Sequence, residues 1–597
     1  MNVTVNAEGA TLCELFDRTV GSHPDQIALR NAEGTQCYTY AEYRAAVADT
    51  AAALHAAGVR RGDVVALMFE NRPVFHVVDA AVMHLGAASC SIYNTSPVRD
   101  IAHIITSSGA RIALCEKAFV QRLQEAARGL TIVCTDSGVD GVAELSDLPR
   151  AGDFDFEATW RAVQPDDVLT LIYTSGTTGS PKPVELTHRS MVAEVLLAAE
   201  VLEFKAGDRV PSALPMAHAA QRWGTHYNAM AFGLDVVCID DLTTLAANLV
   251  AIQPDIWGTV PRILEKMVAA VSARLEAETD SAKAELLSKA IDIGQRYAVA
   301  AQQARVAGGQ PDPALVEQRQ AVEPVLAAIR TSMGLGNLRW LMVGAAPTAP
   351  HIQSYLAALG LEVVEVWGMS ELGAVATINP CGAQKFGTVG KPLRDVQIKL
   401  DDDGEILVNG PIVMRGYRGE PEATAEAITA DGWLRTGDLG ELDADGYLSI
   451  TGRKKEIIVN AAGKNIAPAK VEAAVKAESP LIGSVVAIGD ERPYLSALIV
   501  LDPDALASFA ASAGITVVDP EELCTHDVVT AAVTQAVHRA NENLARVEQI
   551  KRYTVLPQFW QPDSAELTPT LKVRRRVIAE MYRSEIEGLY AAEAVAR

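Results

Sequence analysis

The 597-residue sequence predicts an α/β protein with a large N-terminal domain, a β-rich segment near its end, and a small α+β domain after it. Three observations lead there. The first half alternates helix-period and strand-period segments, which implies crossover units on a mostly parallel sheet. After residue 390, short apolar runs separated by Asp/Gly turns take over, which indicates antiparallel strands. Beyond Gly452 the charged knot Arg453-Lys-Lys-Glu456 opens a compact α+β pattern that runs to the end.

Taken in order, Ala41 to Ala57 reads as a helix, Asp63 to Met68 as a strand and Val74 to Leu85 as a second helix. Ala87 to Ile92 and Ile112 to Cys115 read as further strands. The apolar run Val168-Leu-Thr-Leu-Ile172 is a buried strand, and Glu185 to Leu202 is expected to be the helix that follows it. Residues 262–333 are dominated by Ala, Glu, Gln, Lys and Arg around a Gly-Gly-Gln-Pro-Asp-Pro break at 308–313, so a helical hairpin is expected there. Val396 to Leu400, Glu405 to Val408 and Tyr447 to Ile450 are the short strands of the β-rich segment. The boundary falls after Arg453, giving a domain of residues 1–453 and one of residues 454–597.

Composition narrows the class. Hydrophobic residues make up 49% and charged residues 21%, as in an ordinary globular enzyme. A formal charge of -23, from 52 basic and 75 acidic residues, argues against general binding to nucleic acid or anionic membranes. No apolar run approaches a membrane span, and the N-terminus lacks the basic region of a secretory signal, so a cytoplasmic protein is expected, with peripheral contact at a membrane left open. The 8 cysteines are scattered without a Cys-x-x-Cys pair and are expected to be buried free thiols.

The most telling stretch is Tyr173-Thr-Ser-Gly-Thr-Thr-Gly-Ser-Pro-Lys182. Thr174, Ser175, Thr177 and Thr178 offer hydroxyls to phosphate oxygens, Gly176 and Gly179 free the backbone for tight turns, and Lys182 adds a mobile charge. Successive N–H groups in such a loop form an anion-binding nest. Placed between a strand and a helix, the loop would also profit from the helix N-terminus. It does not fit the Walker A pattern, because Gly179 is followed by Ser-Pro-Lys. A nucleoside triphosphate is the ligand such a loop suits.

Other motifs are weak singly. Asp438 ends Asp431-Gly-Trp-Leu-Arg-Thr-Gly-Asp438, a pattern more often a turn than a site, yet with the nearby Arg453 it could grip a ribose diol. Glu371, in Val366-Trp-Gly-Met-Ser-Glu371, lies just past a β-branched run. Beside a triphosphate it suits Mg²⁺, which takes few carboxylates and completes its shell with phosphate and water. Trp367 could stack on adenine, although a buried tryptophan is most often core. Lys572 follows the proline-stiffened Glu566-Leu-Thr-Pro-Thr-Leu.

Together, in this order and spacing, the motifs resemble the adenylate-forming superfamily of acyl-CoA synthetases, luciferases and adenylation domains. The resemblance spans nearly the whole chain: the Thr174–Lys182 loop, Leu214-Pro-Met-Ala-His218, Gly344-Ala345-Ala346-Pro347, Trp367-Gly368-Met369-Ser370-Glu371, Gly410 to Tyr417, Thr436-Gly-Asp438, Gly452-Arg453 and Lys572. Within it, Thr259-Val-Pro-Arg-Ile-Leu-Glu-Lys266, Gly452 to Val459 and Leu567 to Lys572 are similar to the long-chain fatty acyl-CoA synthetases.

The resemblance implies stacked α/β subdomains with a mobile small domain on a hinge at Lys455. It also implies ATP, Mg²⁺ and coenzyme A. The 174–182 loop would hold the β,γ-phosphates and Glu371 the Mg²⁺. Residues 344–347 and Trp367 to Ser370 would hold the adenine, and Asp438 with Arg453 the ribose. His218 would lie near the carboxylate and acyl pocket, and Lys572 would meet the α-phosphate as the carboxylate attacks. Rotation about Lys455 would then present Gly463 and Lys464 to the pantetheine arm.

The absence of aspartate from Leu214–Gln221 favours a carboxylic acid with an apolar tail over an amino acid. Two alternatives stand beside a medium- or long-chain acyl-CoA synthetase: an acyl-adenylate ligase serving a carrier-protein phosphopantetheine or an amine, and an inactive nucleotide-binding scaffold. One departure bears on activity. Pro183 stands where relatives carry glycine after the lysine, and proline fixes φ and removes a donor, so altered loop closure or ATP use is expected.

Overall fold

The computed structural model describes residues 9–150, 152–174, 181–517, 519–561, 564–568 and 572–591. The chain is a mixed α/β protein with a large N-terminal and a small C-terminal domain. The largest sheet runs, edge to edge, through Gly416–Tyr417, Pro183–Thr187, Val168–Tyr173, Ala88–Ser91, Val64–Met68, Ile112–Cys115, Thr131–Cys134 and Ala143–Glu144. From Val168–Tyr173 onward its strands are parallel. Val64 to Met68 are all buried, as expected of a strand covered on both faces.

A second sheet places Ile256–Thr259, Trp340–Val343 and Val363–Trp367 side by side in parallel, then adds two short antiparallel strands. A third holds Arg209–Ser212, Asp235–Cys238 and Ile27–Asn31 in parallel. The β-rich segment is an antiparallel sheet of Gln397–Leu400, Glu405–Asn409, Leu434–Leu442 and Leu448–Arg453. The small domain pairs Ile482–Ile488 with Leu495–Leu501 antiparallel and adds Ile550–Val555 in parallel. Its apolar side chains, from Ile458 onward, form clusters separate from those of the large domain.

The segment after the phosphate loop departs from expectation. Glu185 to Leu202 is not one helix: Pro183–Thr187 is a strand antiparallel to Val168–Tyr173, and the helix is His188–Ala198. The reason is local. Val184 and Leu186 are both fully buried while Glu185 and Thr187 are partly exposed, a period of two. Thr187 then caps the helix, its hydroxyl accepting from Ser190 N and Ser190 Oγ accepting from Thr187 N, a device that contributes about 1 kcal/mol. The 174–182 loop therefore lies between two antiparallel strands rather than between a strand and a helix.

The helical region holds three helices, Pro261–Glu276, Ser281–Val306 and Pro313–Ser332; the last two form the expected hairpin across the 308–313 break. Cys37 and Cys381 are exposed, against the expectation that all cysteines are buried, and none of the eight is paired. Among the described residues no helix is long and apolar enough to cross a membrane.

Candidate active site

The functional side chains sit where strands end. Parallel strands leave their carboxyl ends as the place where loops and ligands meet, and several motifs follow such ends. Leu214 to His218 follows Arg209–Ser212, Gly344 to Pro347 follows Trp340–Val343, and Gly368 to Glu371 follows Val363–Trp367. Two of these turns demand glycine by close approach. A Cβ on Gly344 would meet Val366 Cγ2 at 2.7 Å, and one on Gly368 would collide with the Ala374 backbone. Ala345, Ala346 and Pro347 are exposed, with Ala345 held at φ 70°.

Thr174 and Lys182 close the mouth of the phosphate loop: Thr174 N donates to Lys182 O at 3.1 Å, and Lys182 N donates to Thr174 Oγ1 at 3.3 Å. Ser175, Gly176, Thr177, Thr178 and Gly179 lie outside the described residues. Lys182 Nζ stands 4.8 Å from the centre of the Tyr417 ring, a cation–π contact. The Tyr417 hydroxyl donates to Glu371 Oε1 at 2.8 Å. One tyrosine thus joins the phosphate-loop lysine to the candidate metal ligand. The sequence places Tyr417 in the Gly410–Tyr417 motif and assigns it no role; the structure supplies one.

Pro183 is the first residue of its strand, where proline is tolerated. The register Tyr417↔Val184 sets Arg418 opposite Pro183, and Arg418 N donates to Pro183 O at 2.9 Å. The return bond cannot form, so the missing donor faces Arg418 rather than the phosphate loop.

Glu371 is 6% exposed and, among the described residues, makes no ion pair. Burial raises its carboxyl above the ordinary value, against the Tyr417 hydrogen bond. A buried carboxylate without an ion-pair partner, joined through Tyr417 to Lys182, fits a divalent cation. The Asp438 carboxylate, 5% exposed, receives the Trp367 indole N–H on Oδ2 at 2.9 Å. Arg453, directly across the sheet from it, brings Nε to 3.0 Å from Oδ1. Trp367 itself is 7% exposed and packs in the large core, which limits the ring face open to adenine.

Lys572 comes from the small domain, where Thr568 N donates to Lys572 O at 2.8 Å and Lys572 N donates to Thr568 Oγ1 at 3.0 Å. Burial lowers its pKa, Arg453 adding to the effect, while Asp438, Glu371 and Glu456 oppose it. His218 is pushed down to about 4 by burial, with the Lys572 charge contributing, and is neutral at pH 7. The structure therefore brings Lys182, His218, Trp367, Glu371, Asp438, Arg453 and Lys572 into one electrostatic neighbourhood. Lys455, Gly463 and Lys464 are exposed. Lys455 lies in the turn Lys454–Glu456, and Asn460 Oδ1 accepts from Lys464 N at 2.9 Å.

Residues 16–418 match the AMP-binding enzyme family, and residues 455–594 match the AMP-binding enzyme C-terminal domain. The chain belongs to the AMP-binding enzyme family. It is 35% identical over 575 residues to the long-chain-fatty-acid–CoA ligase FadD15 of Mycobacterium bovis, covering 93% of this chain and 92% of that one. It is 46% identical over 457 residues to fadD11 of Mycobacterium tuberculosis, provisionally named a fatty-acid–CoA ligase, covering 76% of this chain and 79% of that one. The motif resemblance to the long-chain branch is thereby borne out. Among solved structures, an anthranilate CoA ligase in complex with anthranoyl-AMP aligns with a TM-score of 0.72 at 18% identity, covering 96% of this chain and 97% of that one. A Mycobacterium tuberculosis fatty acyl CoA synthetase aligns at 0.60 and 22%, covering 96% and 99%. These two speak for the fold.

Proposed function

We propose that this AMP-binding enzyme is a fatty acid–CoA ligase that works in two half-reactions. In the first, a fatty carboxylate oxygen attacks the α-phosphorus of ATP. The bond from that phosphorus to the bridging oxygen of the β-phosphate breaks, and pyrophosphate leaves. In the second, the sulfur of coenzyme A attacks the acyl carbon, the bond to AMP breaks, and the thiol proton is released. The observation that carries this reading is the placement of Lys572, from the small domain, within electrostatic reach of Glu371, Asp438 and Arg453 of the large one. A carboxylate approaching a polyanionic phosphate needs positive charge fixed in advance.

The residues divide the task. Lys182 meets the outer phosphates, steadied by Tyr417. Asp438 and Arg453 take the ribose, and the turns at 344–347 and 368–370 flank the adenine. Glu371 would hold Mg²⁺, whose charge offsets that of the phosphates. His218, neutral, can donate one hydrogen bond near the acid without adding charge. The names of FadD15 and fadD11 support a fatty acid and coenzyme A as substrates. The separation of the apolar clusters supports a boundary after Arg453, with residues 1–453 and 454–597 as the two bodies and Lys455 as hinge. The eight unpaired cysteines suit a reducing cytoplasm.

The test is pyrophosphate release over a panel of acids of graded chain length, followed by acyl transfer to coenzyme A, a phosphopantetheinyl carrier or an amine. Fatty acids with coenzyme A should give the highest turnover. Transfer only to a carrier or amine would replace the second half-reaction, and nucleotide binding without acid-dependent pyrophosphate release would overturn the catalytic reading.

A further inference from the structure

We infer that Trp367 acts through its indole N–H as the residue that aims Asp438, and so sets the preference for a ribonucleotide over a deoxyribonucleotide. This rests on the reading of Asp438 as the ribose ligand. The two residues come from different sheets. Trp367 ends the Val363–Trp367 strand, and its backbone is fixed by the neighbouring segment: it pairs with Thr377, and Ala376 N donates to its carbonyl at 2.8 Å. Asp438 lies within Leu434–Leu442 opposite Arg453. The 2.9 Å bond from Trp367 Nε1 to Asp438 Oδ2 ties the carboxylate across that junction.

The lone pairs show what this does. An ionised carboxylate offers about four acceptor positions, and an indole N–H can only donate. Trp367 occupies one position on Oδ2. Oδ1 is buried and, among the described residues, accepts no hydrogen bond; Arg453 Nε, 3.0 Å away, contributes charge from outside the bonding direction. A buried acceptor left open calls for a donor. With Oδ2 pinned, rotation of the carboxylate is stopped, and each oxygen keeps at least one open acceptor position. Two adjacent acceptors match the two hydroxyls of a vicinal cis-diol. Released from the indole, the carboxylate could turn toward Arg453 and present one oxygen instead of two. A site built to bond a hydroxyl rejects the analogue lacking it, because its own buried group is then left unpaired.

The experiment compares kcat/KM for ATP, 2′-deoxyATP and 3′-deoxyATP in pyrophosphate release at saturating fatty acid. Trp367→Phe keeps an aromatic ring and removes the donor. Trp367→β-(3-benzothienyl)alanine replaces only the N–H by sulfur and keeps the bicyclic shape, so a folded protein is retained if the phenylalanine variant fails to fold. In both, the preference for ATP over either deoxynucleotide should fall about tenfold, the worth of one hydrogen bond to a charged group, with ATP losing more than its analogues. Combining either change with Asp438→Ala should add nothing to the loss of preference. If all three nucleotides fall by one factor, the ring serves packing or adenine stacking and the inference is overturned. If Asp438→Ala itself leaves the preference intact, it is the ribose assignment that fails, whatever the tryptophan variants do.

Discussion

Lys572 sits in a setting where burial and Arg453 disfavour its ammonium, while Asp438, Glu371 and Glu456 favour it. Its folded pKa lies below the ordinary lysine value, so its charge is lost as pH rises at a lower pH than for a free lysine. The kcat/KM for adenylation should accordingly show an alkaline limb below about 10.4. Lys572→Arg should move that limb upward, since a guanidinium stays charged, even where misplacement of its fork lowers the rate. Lys572→Ala should separate the half-reactions. Acyl-adenylate formation from acid and ATP should fall by about a hundredfold or more, as when a preorganised charge is removed. Supplied acyl-adenylate should still pass to coenzyme A at a near-normal rate, because AMP is already a good leaving group. Equal loss of both activities in a folded variant would mean that Lys572 is not specific to the first step. His218, at about 4, does not titrate between pH 5 and 9, so neither limb of the profile in that window should disappear in His218→Gln.

The elements around the site were legible in the sequence to the extent that their pattern was unambiguous. Val64–Met68, Ile112–Cys115 and Val168–Tyr173 fall within a residue of their expected bounds, because each is a mostly unbroken apolar run in an alternating strand and helix pattern. The difference lies at Pro183–Thr187, a five-residue strand before the helix, whose last three residues, Glu185 to Thr187, are expected to be helical. A strand so short cannot be told from a helix start by periodicity; the Thr187 cap was the signal that marked the true boundary. Tyr417 was missed as a functional residue for a related reason: its link between Lys182 and Glu371 depends on strand pairing over more than 200 residues of sequence. The same pairing alters the expectation for Pro183, whose absent donor faces Arg418. Pro183→Gly should restore one ladder bond worth about 1 kcal/mol and lose about as much in chain entropy. Stability should change little, and the KM for ATP by less than about threefold. A change above tenfold in single-turnover ATP kinetics would put this residue among those that govern the loop.

At the scale of the molecule, the two domains are held together by charge as well as by the site. Arg262 of the Pro261–Glu276 helix pairs with Asp502, which also caps the Pro503–Ser512 helix of the small domain. One turn along, Lys266 Nζ lies 3.0 Å from Asp504, and Glu265 lies 3.3 Å from Lys476. The pairs cross from the helical region to two helices of the small domain and hold Lys572 over the large one. Lys266–Asp504 is exposed and the other two pairs are half-buried; at about 0.2–1 kcal/mol for an exposed pair, the three together can bias a domain equilibrium by roughly a factor of ten. If the second half-reaction requires the small domain to turn away, that bias favours adenylation at the expense of thioester formation. Lys266→Glu, which sets like charges against Asp504, should slow acyl-adenylate formation severalfold while leaving transfer from supplied acyl-adenylate unchanged or faster. Adding Asp504→Lys should restore the attraction with the signs exchanged and recover the first rate. Raising ionic strength should reproduce the Lys266→Glu effect in the unaltered protein, because exposed pairs are screened within a Debye length of about 8 Å in physiological salt. A variant that slowed both half-reactions equally, and was not rescued by the exchange, would show that these pairs stabilise the fold without choosing between its working arrangements.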